Sequence, residues 1–383
     1  MTPRAITGLG VVSPIGIGRQ AFFEGLGADV PTARAKADGQ LEVPDFDATK
    51  YLGDKGLRSL DRLTKLLVVA ARLALHDSGL KQRGAWVALV PEAVGIVVSN
   101  AYGSLEAITE LDRVATLEDA RYINPSRFPL TVANSAAGYA SIWEELRALN
   151  VSVSDGNCGG LDAAACADVL LDQARARALL VGGAEAMSEA LLLGFQRIGA
   201  VQDGATLGEG AALVVLESLE AARERQAEVL AEVVGYGTSF ASPEREASLV
   251  YAAPSALEQA ITDALADAAT TPADVDLVVS GLSGLRAFDE AELVAISRAL
   301  VDPRRRPAAV DPHVCVVAPK RAVGETLGAG AAMAMAAALG YLRGEVRSHV
   351  VRGVLRTPPR TALVTSLGYY GNASALVMRA PSR

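Results

Sequence analysis

The sequence predicts an α/β fold in which one plan of strands and helices is laid down twice. Short apolar runs rich in β-branched residues, such as Val94-Gly-Ile-Val-Val-Ser-Asn100, read as buried parallel strands. Longer stretches with apolar residues at helical spacing separate them. The same order of elements then returns in the second half, without sequence identity between the halves.

Taken along the chain, residues 4–12 read as a strand. Leu60 to Leu80 carries helical periodicity and stops at Asp77-Ser78-Gly79. Residues 94–100 and 151–153 follow as strands, then a helix over 161–175 and strands over 178–185 and 208–217. The charged helical stretch from Ser218 to Gln226 ends the first set, and Val229-Leu-Ala-Glu-Val-Val-Gly-Tyr-Gly237 opens the second. This divides the chain into 1–226, which carries Cys158, and 227–383. Helix 254–268, strand 275–280, helix 289–300, strand 314–318, helix 327–341 and strand 362–366 complete the second half.

Half of the 383 residues are hydrophobic, and 36 are glycine, which suits a large core with close backbone packing. A net charge of −8 argues against nucleic-acid binding, although an acidic protein partner would still need a local basic patch. Arg304-Arg305-Arg306 and Lys320-Arg321 are the basic stretches available, the former read as a solvated loop. Three cysteines, Cys158, Cys166 and Cys315, form no disulfide framework and no CxxC metal pattern, so no metal site and a reducing, cytoplasmic setting are expected. The amino end lacks a signal-peptide pattern. The longest apolar run, Leu327 to Leu342, falls short of the roughly 20 residues of a membrane span and reads as a buried helix. A dinucleotide site is set aside, because Ser13 stands where Gly8-Leu-Gly10 would need its third glycine.

Cys158 lies in Val151-Ser-Val-Ser-Asp-Gly-Asn-Cys-Gly-Gly-Leu-Asp-Ala-Ala-Ala165, a strand, a sharp turn and a helix that opens with a thiol. A helix N-terminus favours thiolate and can hold a developing oxyanion. The histidines, His76, His313 and His349, do not lie where a base for this cysteine is expected.

Several segments in order resemble the β-ketoacyl synthase family of condensing enzymes. They are Thr7-Gly-Leu-Gly-Val-Val-Ser-Pro-Ile-Gly16, Asn124-Pro125, Pro129, Asn134-Ser-Ala-Ala-Gly138, Cys158, Gly182-Gly-Ala-Glu-Ala-Met187 and Asp203-Gly204. Gly208-Glu-Gly-Ala-Ala212, Leu216-Glu217, Glu232-Val-Val-Gly-Tyr-Gly237, Lys320, Gly324, Leu327-Gly-Ala-Gly330 and Ser366-Leu-Gly-Tyr-Tyr-Gly371 continue the series. The resemblance implies a thiolase-like fold, two similar halves with five-stranded mixed sheets stacked as α-β-α-β-α layers and paired into a dimer. It implies no bound cofactor, acyl groups being delivered on a phosphopantetheine-bearing acyl carrier protein, with no nucleic acid or membrane as partner.

The departures matter as much. Condensing members place two histidines beside the cysteine. Counting back from Asp289 and Ala291-Glu292 puts the first on Gly281, and Lys320 with Gly324 puts the second on Glu325. Each lost donor removes a factor on the order of 10²–10³ in rate, so efficient condensation by this chain alone is not expected. A carboxylate at Glu325 is expected to raise the thiol's pKa. Glu325 is either a proton-transfer group or the structural partner of Lys320.

Transacylation asks only for a thiolate and an oxyanion pocket, which by resemblance would use the amides of Cys158 and Tyr369, with Gly159 and Gly160 leaving space at the sulfur. Tyr369 and Tyr370 replace the family's phenylalanine-glycine gate and either narrow the acyl entrance or fill volume. Arg286 and Glu292 read as solvated charges at a helix start, Cys166 and Cys315 as core. Three functions follow. The chain is a chain-length-factor-like partner of a competent ketosynthase, or a stand-alone acyltransferase or thioesterase-like enzyme using Cys158, or a binding module for a carrier protein or acyl chain.

Overall fold

The structure is a computed structural model describing residues 1–28, 40–199, 205–243, 250–300, 314–356 and 358–381. Asp203-Gly204, Arg304-Arg305-Arg306 and His313 lie outside the described residues. In the first half, β1 (Arg4–Ser13), α1 (Arg62–Asp77), β2 (Val94–Ser99), α2 (Ser135–Glu144), β3 (Asn150–Val153), α3 (Gly159–Asp172), β4 (Ala178–Glu185) and β5 (Gly210–Ser218) follow one another. The second half supplies β6 (Ala231–Phe240), α4 (Pro254–Asp267), β7 (Leu277–Val279), α5 (Arg286–Ala299), β8 (Cys315–Val317), α6 (Gly330–Leu342), β9 (Val350–Arg352), β10 (Thr361–Leu367) and β11 (Asn372–Arg379).

The strands run in the order β9-β8-β7-β10-β11-β6-β1-β5-β4-β2-β3. Each half reads outward from the middle as two antiparallel and two parallel pairings: β1-β5-β4-β2-β3 and β6-β11-β10-β7-β8. The two five-stranded sheets of the thiolase-like fold are therefore both present. They meet at a short antiparallel seam where Arg4, Ala5 and Ile6 pair with Val233, Glu232 and Ala231, and β9 adds an edge to the second sheet.

Local chemistry starts and stops these elements. The Asp61 side chain caps α1 by accepting from the Thr64 amide at 2.9 Å. The alanines of α6 let it pack on all sides, and every one of its residues is buried. With α3 it forms the middle layer, sharing one core with the facing sides of both sheets. α1 and α2 cover the outer face of the first sheet, α4 and α5 that of the second. Among the described residues no helix is long and apolar enough to cross a membrane.

Candidate active site around Cys158

The carboxyl end of β3 delivers the turn Ser154–Asn157, and Cys158 stands as the cap residue of α3. The end of β10 clamps that turn. Asn157 Nδ2 donates to the Leu367 carbonyl at 2.9 Å, and Ser366 Oγ donates to the Asn157 carbonyl at 3.0 Å. Cys158 Sγ points at the Ser366 carbonyl, 3.4 Å away, and the residue is wholly buried.

That burial overturns the expectation of a thiolate. Loss of water pushes the Cys158 thiol well above its usual pKa, and the neighbouring Asp162 carboxyl adds to the shift. The charges that raise it most are those of Asp162 and Asp155 rather than the expected Glu325, and Lys320 opposes them. The amide of Cys158 is also engaged, donating to the Asp155 carbonyl at 3.2 Å, so it is not a free oxyanion donor. Gly159 and Gly160 do not open space at the sulfur. A Cβ on Gly159 would strike the Ser99 hydroxyl, and one on Gly160 would sit 2.5 Å from the Ala332 amide nitrogen. The glycines let α3 press against β2 and α6.

Lys320, Glu325 and Tyr369 come together as one closed network. Glu325 Oε2 accepts from Lys320 Nζ at 2.6 Å and from the Tyr369 hydroxyl at 2.7 Å, and Oε1 accepts from the Leu327 amide at 2.8 Å. All three side chains are buried. Of the two readings of Glu325, the geometry favours the ion pair. The Tyr369 ring packs edge-on against Phe288, with centroids 4.9 Å apart, and against Phe195 at 6.4 Å. Burial and the Glu325 charge push its hydroxyl well above the usual tyrosine value, keeping it a donor.

Gly281 lies apart from this network. Its amide donates to Glu292 Oε1 at 2.7 Å, and the same oxygen accepts from Thr365 Oγ1 at 2.7 Å. Glu292 is therefore an interior carboxyl and not the solvated charge the sequence suggested; burial pushes it up to about 7. Arg286 is exposed and pairs with Glu290 at 2.9 Å. Tyr370 is half-exposed and shares a 2.9 Å hydrogen bond with the Tyr102 hydroxyl. Both tyrosines line a cavity of about 250 Å³ whose other walls include Phe195, Leu285 and Phe288. Tyr369 thus touches this vestibule with its ring and the buried ion pair with its hydroxyl.

The sequence reading passed over a second carboxyl at the thiol. Asp162 Oδ1 accepts from the Tyr236 hydroxyl and from Ser374 Oγ, each at 2.6 Å. Burial and a hydrogen bond with Asp155 push its carboxyl up to about 7. Its place one turn after Cys158 on the same helix was the available signal. His76 lies in the last turn of α1 and the His349 imidazole bonds the Leu26 backbone, so neither described imidazole is hydrogen-bonded to Cys158, whose sulfur faces the Ser366 carbonyl.

Comparison with known proteins bears on the family and the fold. The profile described as "Beta-ketoacyl synthase, N-terminal domain" matches residues 1–222, and "Beta-ketoacyl synthase, C-terminal domain" matches residues 230–351. The chain is 32% identical to "Putative polyketide beta-ketoacyl synthase 2" of Streptomyces halstedii, over 98% of this chain and 96% of that protein. It is 30% identical to "Tetracenomycin polyketide synthase ketoacyl synthase beta subunit" of Streptomyces glaucescens, over 98% of each. The solved structure of "The ishigamide ketosynthase/chain length factor" superposes with a TM-score of 0.85 at 24% identity, covering 100% of both chains, which shows a shared fold. A thiol at the cap of α3, the ordered sequence segments and these matches together establish that the chain belongs to the β-ketoacyl synthase family.

Proposed function

We propose that this chain is a non-condensing, chain-length-factor-like subunit that pairs with a histidine-bearing ketosynthase in polyketide or fatty-acid assembly. One observation carries the reading. Where the second imidazole is expected, Glu325 is saturated by Lys320, Tyr369 and the Leu327 amide, and burial pushes the Cys158 thiol well above its usual pKa. Neither the donor that stabilises an enolate nor the ionised sulfur that attacks a thioester is supplied by this site.

The free edge of the first sheet supports pairing. Among the described residues β3 is the terminal strand of its sheet, with no strand paired to its outer edge. Ile142 of α2 and Val169 of α3, 73% and 53% exposed, flank it with apolar surface. A second subunit of the same fold would cover both. Acyl groups would arrive on a phosphopantetheine-bearing carrier protein.

Co-expression with a histidine-bearing ketosynthase from the same genome tests the proposal. A 1:1 heterodimer by light scattering is expected, with malonyl-carrier decarboxylation lost when the partner's histidines are replaced and retained in Cys158→Ala. A sole homodimer overturns the pairing. A Cys158-dependent acyl adduct on intact mass overturns the non-catalytic reading in favour of the acyltransferase.

A further inference from the structure

The stretch from 314 to 360 reverses the charge of the chain. Against −8 overall it carries seven lysines and arginines and two acids, Glu325 and Glu345. Both acids are engaged, Glu325 by Lys320 and Glu345 by Arg343. The neighbouring Asp276 carboxylate accepts from the amides of Arg360 at 2.8 Å and Thr361 at 3.1 Å. That leaves Arg321, Arg347, Arg356 and Arg360. All four are exposed, and among the described residues none of them forms an ion pair. Arg352, between them in the chain, donates to the Ser297 hydroxyl at 2.8 Å and has no carboxylate partner there.

These arginines follow one edge of the fold. β9 is the last strand of the second sheet, and among the described residues no strand is paired to its outer side. Its Val350 and Arg352 pair with Val317 and Val316 of β8. At one end, the Ala318 carbonyl accepts from the Arg321 amide at 3.1 Å, and the Ala318 amide donates to the His349 carbonyl at 2.9 Å. Arg321 thus sits beside the segment that carries Arg347. At the other end, a Cβ on Gly353 would lie 2.6 Å from the Val314 carbonyl oxygen. There Asp276 joins Arg360 to the strand, its carbonyl accepting from the Cys315 amide at 3.4 Å. From Val314 to Ala318 the charges span about 13 Å of strand. Val350 and Val354, 39% and 76% exposed, add apolar surface along the same edge.

We propose that the β9 edge docks an extended acidic segment of another protein. Its carboxylates pair with Arg321, Arg347, Arg356 and Arg360, its apolar side chains rest on Val350 and Val354, and its main chain meets the open side of β9. Each part has a physical warrant. A guanidinium presents a planar fork that matches a carboxylate, and an exposed sheet edge accepts an added strand. Gly353, at a φ of 72°, ends β9 after three residues, so main-chain pairing is short and the arginines supply most of the attraction. A long phosphate polyanion would meet the repulsion of the net charge of −8, whereas a short acidic segment covers the basic stripe alone. The proposal does not depend on the pairing proposed above.

Fluorescence anisotropy of a labelled peptide of alternating Glu and Val, titrated with the full chain, tests it. Saturable binding is expected, with slowed hydrogen exchange at the amides of Val350–Arg352. Arg347→Gln with Arg356→Gln should weaken it roughly fivefold, and Gln at all four arginines roughly 25-fold. These side chains are exposed, so the variants keep the fold, which circular dichroism checks. A Gln-Val peptide should not bind. Arginines that only keep an edge from pairing with copies of itself predict no binding at all. Absence of saturable binding, equal affinity for the Gln-Val peptide, or unprotected β9 amides would overturn the proposal. So would tighter, arginine-dependent binding of a DNA oligonucleotide or phosphatidylglycerol vesicles, or self-association of the chain through the same arginines in light scattering.

Discussion

Replacing Glu325 with alanine strands a lysine. Lys320 and Glu325 are each about 1% exposed at the side chain and sit 2.6 Å apart, so water cannot take over the lost partner. Breaking such a pair from one side costs about 3–5 kcal/mol, because the remaining charge stays buried. The Tyr369 hydroxyl and the Leu327 amide lose their acceptor in the same step, which places the effect toward the upper end. With an unfolding entropy of about 2.1 cal/mol/K per residue, the 383-residue chain has roughly 0.8 kcal/mol/K at its midpoint, so a loss of about 4 kcal/mol lowers Tm by about 5 °C. The assay is urea and thermal unfolding followed by circular dichroism. Replacing the whole network, with Lys320→Met, Glu325→Leu and Tyr369→Phe together, should recover most of the loss, since an apolar substitute of similar volume is about neutral. A Glu325→Ala protein within about 1 kcal/mol of wild type, or a triple variant weaker than the single, would refute the reasoning.

Two further outcomes follow from the site. Asp162 has its folded pKa pushed up to about 7 from an ordinary value of 3.8, so the folded chain holds a proton there that the unfolded chain has released. Its contribution is present at low pH and declines as pH rises from about 4 to about 7. Asp162→Asn should therefore raise Tm relative to wild type above pH 7, with the gap closing toward pH 4; a gap independent of pH would remove the proton from the account. Gly160→Ala places a methyl 2.5 Å from the Ala332 amide and 3.1 Å from its Cα, forcing α3 and α6 apart. A loss of about 1–3 kcal/mol by urea denaturation is expected, and an unchanged midpoint would contradict that close approach.

Much of the scaffold was legible locally. The β-branched run of β2, the glycine-bracketed β4 and the cap and stop of α1 are written in consecutive residues, and their boundaries fall within a few positions of expectation. The strand Asn372–Arg379 and the helix Ser135–Glu144 went unassigned, being alanine-rich with weak periodicity, and their identity rests on what they pack against. Glu292 looked like a solvated helix-start charge because nothing nearby in sequence marks it as interior. Its acceptor role depends on Thr365, 73 residues away.

The site divides along the same line. That Cys158 heads a helix follows from residue identities and short spacings alone, and the resemblance to the family puts Gly281 and Glu325 where its imidazoles are expected. That the sulfur is buried and its pKa pushed up, that Glu325 binds Tyr369 across 44 residues, and that Asp162 meets Ser374 across 212, was decided only by the tertiary structure. Ionisation depends on how much water and which charges surround a group, and those neighbours are brought together by the pairing of strands from both halves of the chain.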